Sequence, residues 1–219
     1  MVPALSSFVD SRRVKALVCA ADGCLFPLDL SWRSFAGEAM AGPSTGRARL
    51  PPTPVASAPS ARPVPVRSPA VVRPDRSVVD AVGRLAGDYR LATITSWEPR
   101  RLEACLSATC LDLVIAPEHR IFLAGRDTAP GTEPGPSDFV EACERLGLGL
   151  DDVVAVQHSC TGVQSARAAG LRTIGNLHYV TARDRGPAAV DLARAGAVVV
   201  VRNWSTIARL LRCLPRGTP

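Results

Sequence analysis

One stretch limits the fold more than any other: Val14-Lys15-Ala16-Leu17-Val18-Cys19-Ala20-Ala21-Asp22-Gly23-Cys24-Leu25-Phe26. It is an apolar run of strand length that ends in an acid and a glycine. An uninterrupted apolar strand needs cover on both faces, which is the condition of a central strand in a parallel sheet. Such a strand delivers one carboxylate, Asp22, to the loop at its end. Alternation along the strand predicts Ala20 and Asp22 on one face.

The rest of the chain supplies partners for that strand. Ser77 followed by Asp80 predicts a capped helix through about Ala86, and Tyr89 to Ile94 a strand that stops at Thr95-Ser96. A helix is predicted from Pro99 to Thr109, with proline in its first turn. Leu113 to Ala116 reads as a third strand, Pro117 to Gly135 as a loop, and Ser137 to Leu146 as a helix. Asp152 to Val156, Arg172 to Ile174 and Ala197 to Val201 read as strands. Helices are expected over Thr161 to Ala169, Ala188 to Ala195 and Ser205 to Leu214. Alternating elements of these lengths predict an α/β fold with a doubly wound, mostly parallel sheet, whose ligand crevice lies beyond the carboxyl ends of the strands.

One segment breaks the pattern. From Gly42 to Pro74 the chain is built of Pro, Ala, Ser, Arg and Val, a composition that sustains neither helix nor ladder and predicts a disordered or polyproline-like insertion. Only Ser31 to Met40 before it suggests a short helix. The expected organisation is a core of residues 1–26 and 77–219 around a reduced, Pro-rich insertion at 27–76.

With a core strand, a carboxylate and a phosphate-compatible loop in place, the strand-end residues resemble the haloacid dehalogenase superfamily, and within it the β-phosphoglucomutase-like group. Ala20-Ala21-Asp22-Gly23-Cys24-Leu25 resembles the first signature, Asp-x-Asp-Gly-Thr-Leu. Ala92-Thr93-Ile94-Thr95-Ser96 resembles the second, where a hydroxyl and the following amides bind a phosphoryl group. Glu133-Pro134-Gly135-Pro136 stands at the third, which begins with lysine. Gln157-His158-Ser159-Cys160-Thr161-Gly162-Val163 stands at the fourth, which reads Glu-Asp-Ser before Gly-Val. The resemblance implies a Rossmann-like core, a cap domain at the position of the Pro-rich insertion, and Mg²⁺-assisted phosphoryl transfer through an aspartyl phosphate.

The chemical residues of those motifs are altered. The nucleophile position is Ala20, whose methyl cannot attack phosphorus. The lysine position is Glu133, and Lys15, the chain's single lysine, lies in the first strand. Only an arginine such as Arg120 or Arg126 could supply the cation. The metal-acid positions are Gln157 and His158, which a hard cation disfavours. A like-charge pair about 4 Å apart at an effective dielectric near 20 costs about 4 kcal/mol, so Glu133 opposes phosphate where lysine would attract it.

What remains is Asp22, as a residual acid/base or, by the favoured reading, a cap for loop amides, and Gly23, Thr95 and Ser96 as a weak anion cradle. Cys24, His158 and Cys160 form a further thiol/imidazole grouping at the strand ends. His119 and His178 read as solvated. The expectation is a catalytically deficient scaffold that binds a protein partner, without a cofactor, Mg²⁺ being needed only if activity persists. The alternatives are an altered hydrolase using Asp22 or Cys24, and a nucleic-acid-associated regulator.

The formal charge of +6 permits the last. Scattered arginine in an Ala- and Pro-rich chain reads instead as compositional bias, so nucleic acid is not expected. Seven cysteines without CxxC spacing, no export signal and no apolar run of about 20 residues point to a soluble cytoplasmic protein with reduced thiols and no membrane association.

Overall fold

The computed structural model describes residues 14–27, 75–123 and 133–212, all within one compact unit. The expected lead-in before the first strand, the Ser31 to Met40 helix, the disordered insertion from Gly42 to Pro74, and Arg126 lie outside them. Six parallel strands form one sheet: β1 (Ala16–Ala20), β2 (Arg90–Thr95), β3 (Arg120–Phe122), β4 (Val153–Gln157), β5 (Arg172–Asn176) and β6 (Val199–Val201), in the order β3-β2-β1-β4-β5-β6. β1 is central and buried along its whole length, as its uninterrupted apolar sequence requires.

Strand alternation sends successive side chains to two helical layers. On one face Leu17, Cys19, Leu91, Val154 and Val156 pack under α1 (Arg76–Ala86), α2 (Pro99–Thr109) and α6 (Trp204–Arg212). On the other, Ala16, Val18, Ala92, Ile94 and Ala155 meet α3 (Pro136–Leu146) and α4 (Cys160–Ala168). The small alanines let Phe139 of α3 sink to full burial. α5 (Arg185–Ala195) closes against α4 and β5 through Leu192 and Val163.

Three expectations need correction here. The third strand is Arg120–Phe122, not Leu113 to Ala116. The Leu-Asp-Leu before Val114 winds into a 3₁₀ turn that buries Leu111 and Ile115 and leaves Leu113 80% exposed. Arg120 is stitched to that turn: Nε donates to the Ile115 carbonyl at 3.0 Å, Nη2 to the same oxygen at 2.6 Å, and Nη1 pairs with Glu103. Buried and committed, Arg120 is not available to replace the missing lysine.

α1 is capped by Asp75 rather than Ser77. The Asp75 Oδ1 accepts from the Ser77 amide at 2.9 Å and from its hydroxyl at 2.8 Å. His178 is not solvated: its side chain is 10% exposed, Nε2 lies 2.9 Å from Asp75 Oδ2, and its ring meets Tyr179 edge-on.

Candidate functional site at the carboxyl ends of β1, β2 and β4

The strand order reverses between β1 and β4, where a doubly wound sheet opens its crevice. After Ala20 the chain turns tightly. The Ala21 amide donates to the Ile94 carbonyl at 2.9 Å, and the Leu25 and Phe26 amides both donate to the Ala21 carbonyl. Trp204 Nε1 fixes the turn through the Cys24 carbonyl at 2.7 Å, and Tyr179 Oη does so through the Leu25 carbonyl at 3.0 Å. Gly23 takes φ +64°, a left-handed conformation that favours glycine.

Asp22 projects from this turn toward β2. Thr95 Oγ1 donates to its Oδ2 at 3.5 Å, and the Ser96 side chain also hydrogen-bonds it. The loop-amide cap favoured from sequence is therefore corrected: the carboxylate meets side-chain hydroxyls. Its Oδ1 is buried with no hydrogen-bond partner among the described residues. Burial pushes the carboxyl from the usual 3.8 up to about 6; Arg101 opposes that rise, Glu133 adds to it, and the Thr95 and Ser96 hydrogen bonds pull it down.

Thr95 does a second task. Its oxygen accepts from the Trp97 amide at 3.0 Å, closing the turn into α2. Trp97 packs against Phe26 and carries the Arg101 guanidinium over its ring, 4.2 Å from the centroid. Arg101 is the residue that the sequence reading missed. It lies in the first turn of α2, where the helix dipole disfavours a cation, and that misplaced charge was the available signal.

On the β4 side, Glu133 enters the same neighbourhood. Ser159 Oγ donates to Glu133 Oε2 at 3.1 Å and accepts from the Gly162 amide at 3.0 Å as the cap of α4. The Gln157 amide is fully buried, and neither of its polar atoms finds a partner among the described residues. A Cβ on Gly162 would come within 2.4 Å of Gln157 Oε1, so the amide is wedged under the first turn of α4. The His158 ring lies on Gly23 so closely that a Cβ there would meet Cδ2 at 2.4 Å. The imidazole thus covers the glycine assigned to an anion cradle.

Structure brings Asp22, Thr95, Ser96, Arg101, Glu133 and Ser159 into one linked set, with Ala20 buried beside them. The thiol/imidazole grouping is not assembled. Cys24 is fully buried, its Sγ donates to the Val156 carbonyl at 3.6 Å, and burial pushes its thiol well above the ordinary range, which suppresses the thiolate. Cys160 begins α4. Among the described residues no group of three His, Cys, Asp or Glu side chains is placed to hold a metal ion.

No family model matches the chain. A haloacid dehalogenase-like hydrolase domain-containing protein of Arabidopsis thaliana is 31% identical over 98 residues, which is 40% of this chain and 31% of that protein. A haloacid dehalogenase-like protein of unknown function from Agrobacterium tumefaciens superposes with a TM-score of 0.52 at 28% identity, over 61% of this chain and 57% of its own. The chain is haloacid dehalogenase-like. A hydrolase of that family from Deinococcus radiodurans, solved with bound phosphate and sodium, shares the fold over 94% of this chain and all of its own, at 19% identity and a TM-score of 0.59. The chain spans less than a third of the curated relative and just over half of the Agrobacterium protein.

A haloacid dehalogenase-like fold raises the question of Mg²⁺, and the residues present do not fit it. Ala20 offers a methyl, Gln157 a neutral amide pressed against Gly162, and His158 an imidazole seated on Gly23. A hard dication selects several oxygen ligands, charged ones above all; Asp22 and Glu133 are the carboxylates near the site, and with no third group placed to join them among the described residues they do not make a cation site. Among the described residues, no helix is long and apolar enough to cross a membrane.

Proposed function

We propose that this chain is a pseudophosphatase: it keeps the haloacid dehalogenase-like core, has lost phosphoryl transfer, and works by binding a protein partner. The observation that carries the reading is Ala20 at the end of β1, two residues before Asp22, whose carboxyl feels the charge of Glu133 rather than of a lysine. Transfer through an aspartyl phosphate needs a carboxylate at residue 20, and the methyl that stands there cannot attack phosphorus. Glu133, held by Ser159, reinforces the loss, because it raises the Asp22 carboxyl and repels phosphate oxygens. Among the described residues Arg101 is a single cation set against two carboxylates, which leaves the site short of charge for a phosphate dianion.

A second reading has one observation in its favour. A carboxyl near 6 is matched to general acid/base work close to neutrality. Hydrolysis of a small aryl phosphate at high protein concentration with Mg²⁺ separates the two. The native chain, Asp22→Ala, and the triple variant Ala20→Asp/Glu133→Lys/His158→Asp are compared. Pseudophosphatase behaviour gives silence in the native chain and turnover in the triple variant; native turnover abolished by Asp22→Ala would overturn it in favour of a hydrolase.

A further inference from the structure

α1 and α6 share a layer against one face of the sheet, α1 leading into β2 and α6 leaving β6. Tyr89 Oη donates to the Leu211 carbonyl at 2.9 Å and locks their far ends together. On the outer surface of this pair stand Arg76, Arg84, Arg202, Arg209 and Arg212, all exposed. None of the five has a hydrogen bond or ion pair among the described residues. Elsewhere Arg90, Arg120, Arg145, Arg172 and Arg185 donate to specific acceptors, while Arg100, Arg167 and Arg183, on three different segments, are exposed and likewise unpaired among the described residues.

Helix stability accounts for only part of this array. Arg84, Arg209 and Arg212 occupy last turns, where a cation complements the helix dipole. Arg76 is the first residue of α1, and Arg202 precedes α6, at the ends where the dipole opposes a cation. These two charges stand against the dipole with no partner among the described residues, so helix stability does not explain their place.

Asp80 narrows the partner. It lies one turn from Arg76 and one turn from Arg84, giving α1 an alternation of plus, minus, plus over about 12 Å at 1.5 Å per residue. A nucleic-acid backbone laid along α1 would bring phosphates against Asp80. A protein helix with carboxylates two turns apart and a base between them matches all three charges. We infer that the α1–α6 face is a docking surface for an acidic protein helix of that pattern. It involves none of the strand-end residues and holds whether or not Asp22 turns over a substrate.

The test uses the full chain and three fluorescent probes. One is a 20-residue helical peptide with Glu at i and i+8 and Arg at i+4; the second has the same composition with the charges out of register; the third is a 20-base-pair DNA duplex. Anisotropy is followed at low and physiological salt. The patterned peptide binds best, and Arg76→Gln/Arg84→Gln weakens it about three- to tenfold, the effect of losing two exposed charge pairs, whereas Arg209→Gln/Arg212→Gln on α6 weakens it less. Arg183→Gln, an exposed arginine on another surface, leaves it unchanged. Since every substitution is at an exposed position, circular dichroism melts verify each fold. Equal binding of both peptides, tighter binding of the duplex, no binding, or indifference to Arg76→Gln/Arg84→Gln overturns the inference.

Discussion

Asp22→Asn probes the strand-end site through its stability rather than its activity. The carboxyl stands near 6 in the folded chain and near 3.8 when unfolded, because burial disfavours its charge more than Arg101, Thr95 and Ser96 favour it. Between those values the folded chain holds more proton than the unfolded one, so stability falls as pH rises through the window. The full difference amounts to about 3 kcal/mol above pH 7, at about 1.36 kcal/mol per pKa unit. About 2 kcal/mol of it develops between about pH 4.5 and 7.5. Asparagine keeps the shape and cannot ionise. Urea denaturation of both proteins at a series of pH values gives the difference directly. The variant gains on the native chain by about 2 kcal/mol across that interval, with most of the gain below about pH 6. A constant gap between the two proteins, or a native chain that gains stability relative to the variant as pH rises, would refute the burial argument.

Three further perturbations test the neighbouring contacts. Glu133→Gln lowers the Asp22 titration midpoint and Arg101→Gln raises it, read by carbon NMR of the Asp22 carboxyl; shifts of the opposite sign would contradict the charge arrangement described. Arg120→Ala leaves the Ile115 and Asp112 carbonyls without their donor and Glu103 without its cation, and costs about 3–5 kcal/mol in denaturant unfolding, against about 0.5 for an ordinary surface arginine. Gly23→Ala combines a left-handed backbone with the His158 ring 2.4 Å from the new methyl; it costs about 2–4 kcal/mol, and Gly23→Ala/His158→Ala recovers the steric part alone.

The first strand and the helix after β2 are legible because local and tertiary signals agree. β1 is apolar without interruption and lies at the centre of the sheet, and Pro99 starts α2 where its fixed φ suits a first turn. β3 was hidden for the opposite reason. It is a three-residue edge strand whose first residue is arginine, while the apolar run before it looked more strand-like and became a turn. Only tertiary structure reveals that Arg120 is buried by carbonyl acceptors that its own neighbours provide.

The site was legible as a list of positions and not as a set of contacts. Ala20, Asp22 and Gln157 stand at or just beyond the ends of β1 and β4, and Glu133 just before α3, because motif spacing follows element spacing. Arg101 was invisible to motif matching, since it reaches Asp22 from α2, which carries none of the motif residues. The partners of the Asp22 carboxylate could not be foreseen either, because a turn and a hydroxyl on the neighbouring strand decide them.

An unpartnered, buried oxygen on Asp22 also specifies what the site can accept. A donor or cation reaching Oδ1 would favour the ionised carboxyl and relieve the roughly 3 kcal/mol held there above pH 7. An anion would favour the protonated form and must compete with Glu133. The two classes therefore have opposite pH dependence. Methylguanidinium, a mimic of a partner's arginine side chain, binds more tightly as pH rises through about 6, approaching tenfold per unit below that value. Sulfate, whose charge is constant over this range, binds more weakly over the same interval. Chemical-shift titration of the strand-end residues with each probe reads both trends. Sulfate binding that strengthens with pH, or methylguanidinium binding that Asp22→Asn leaves intact, would show that the retained carboxylate does not govern what enters the crevice.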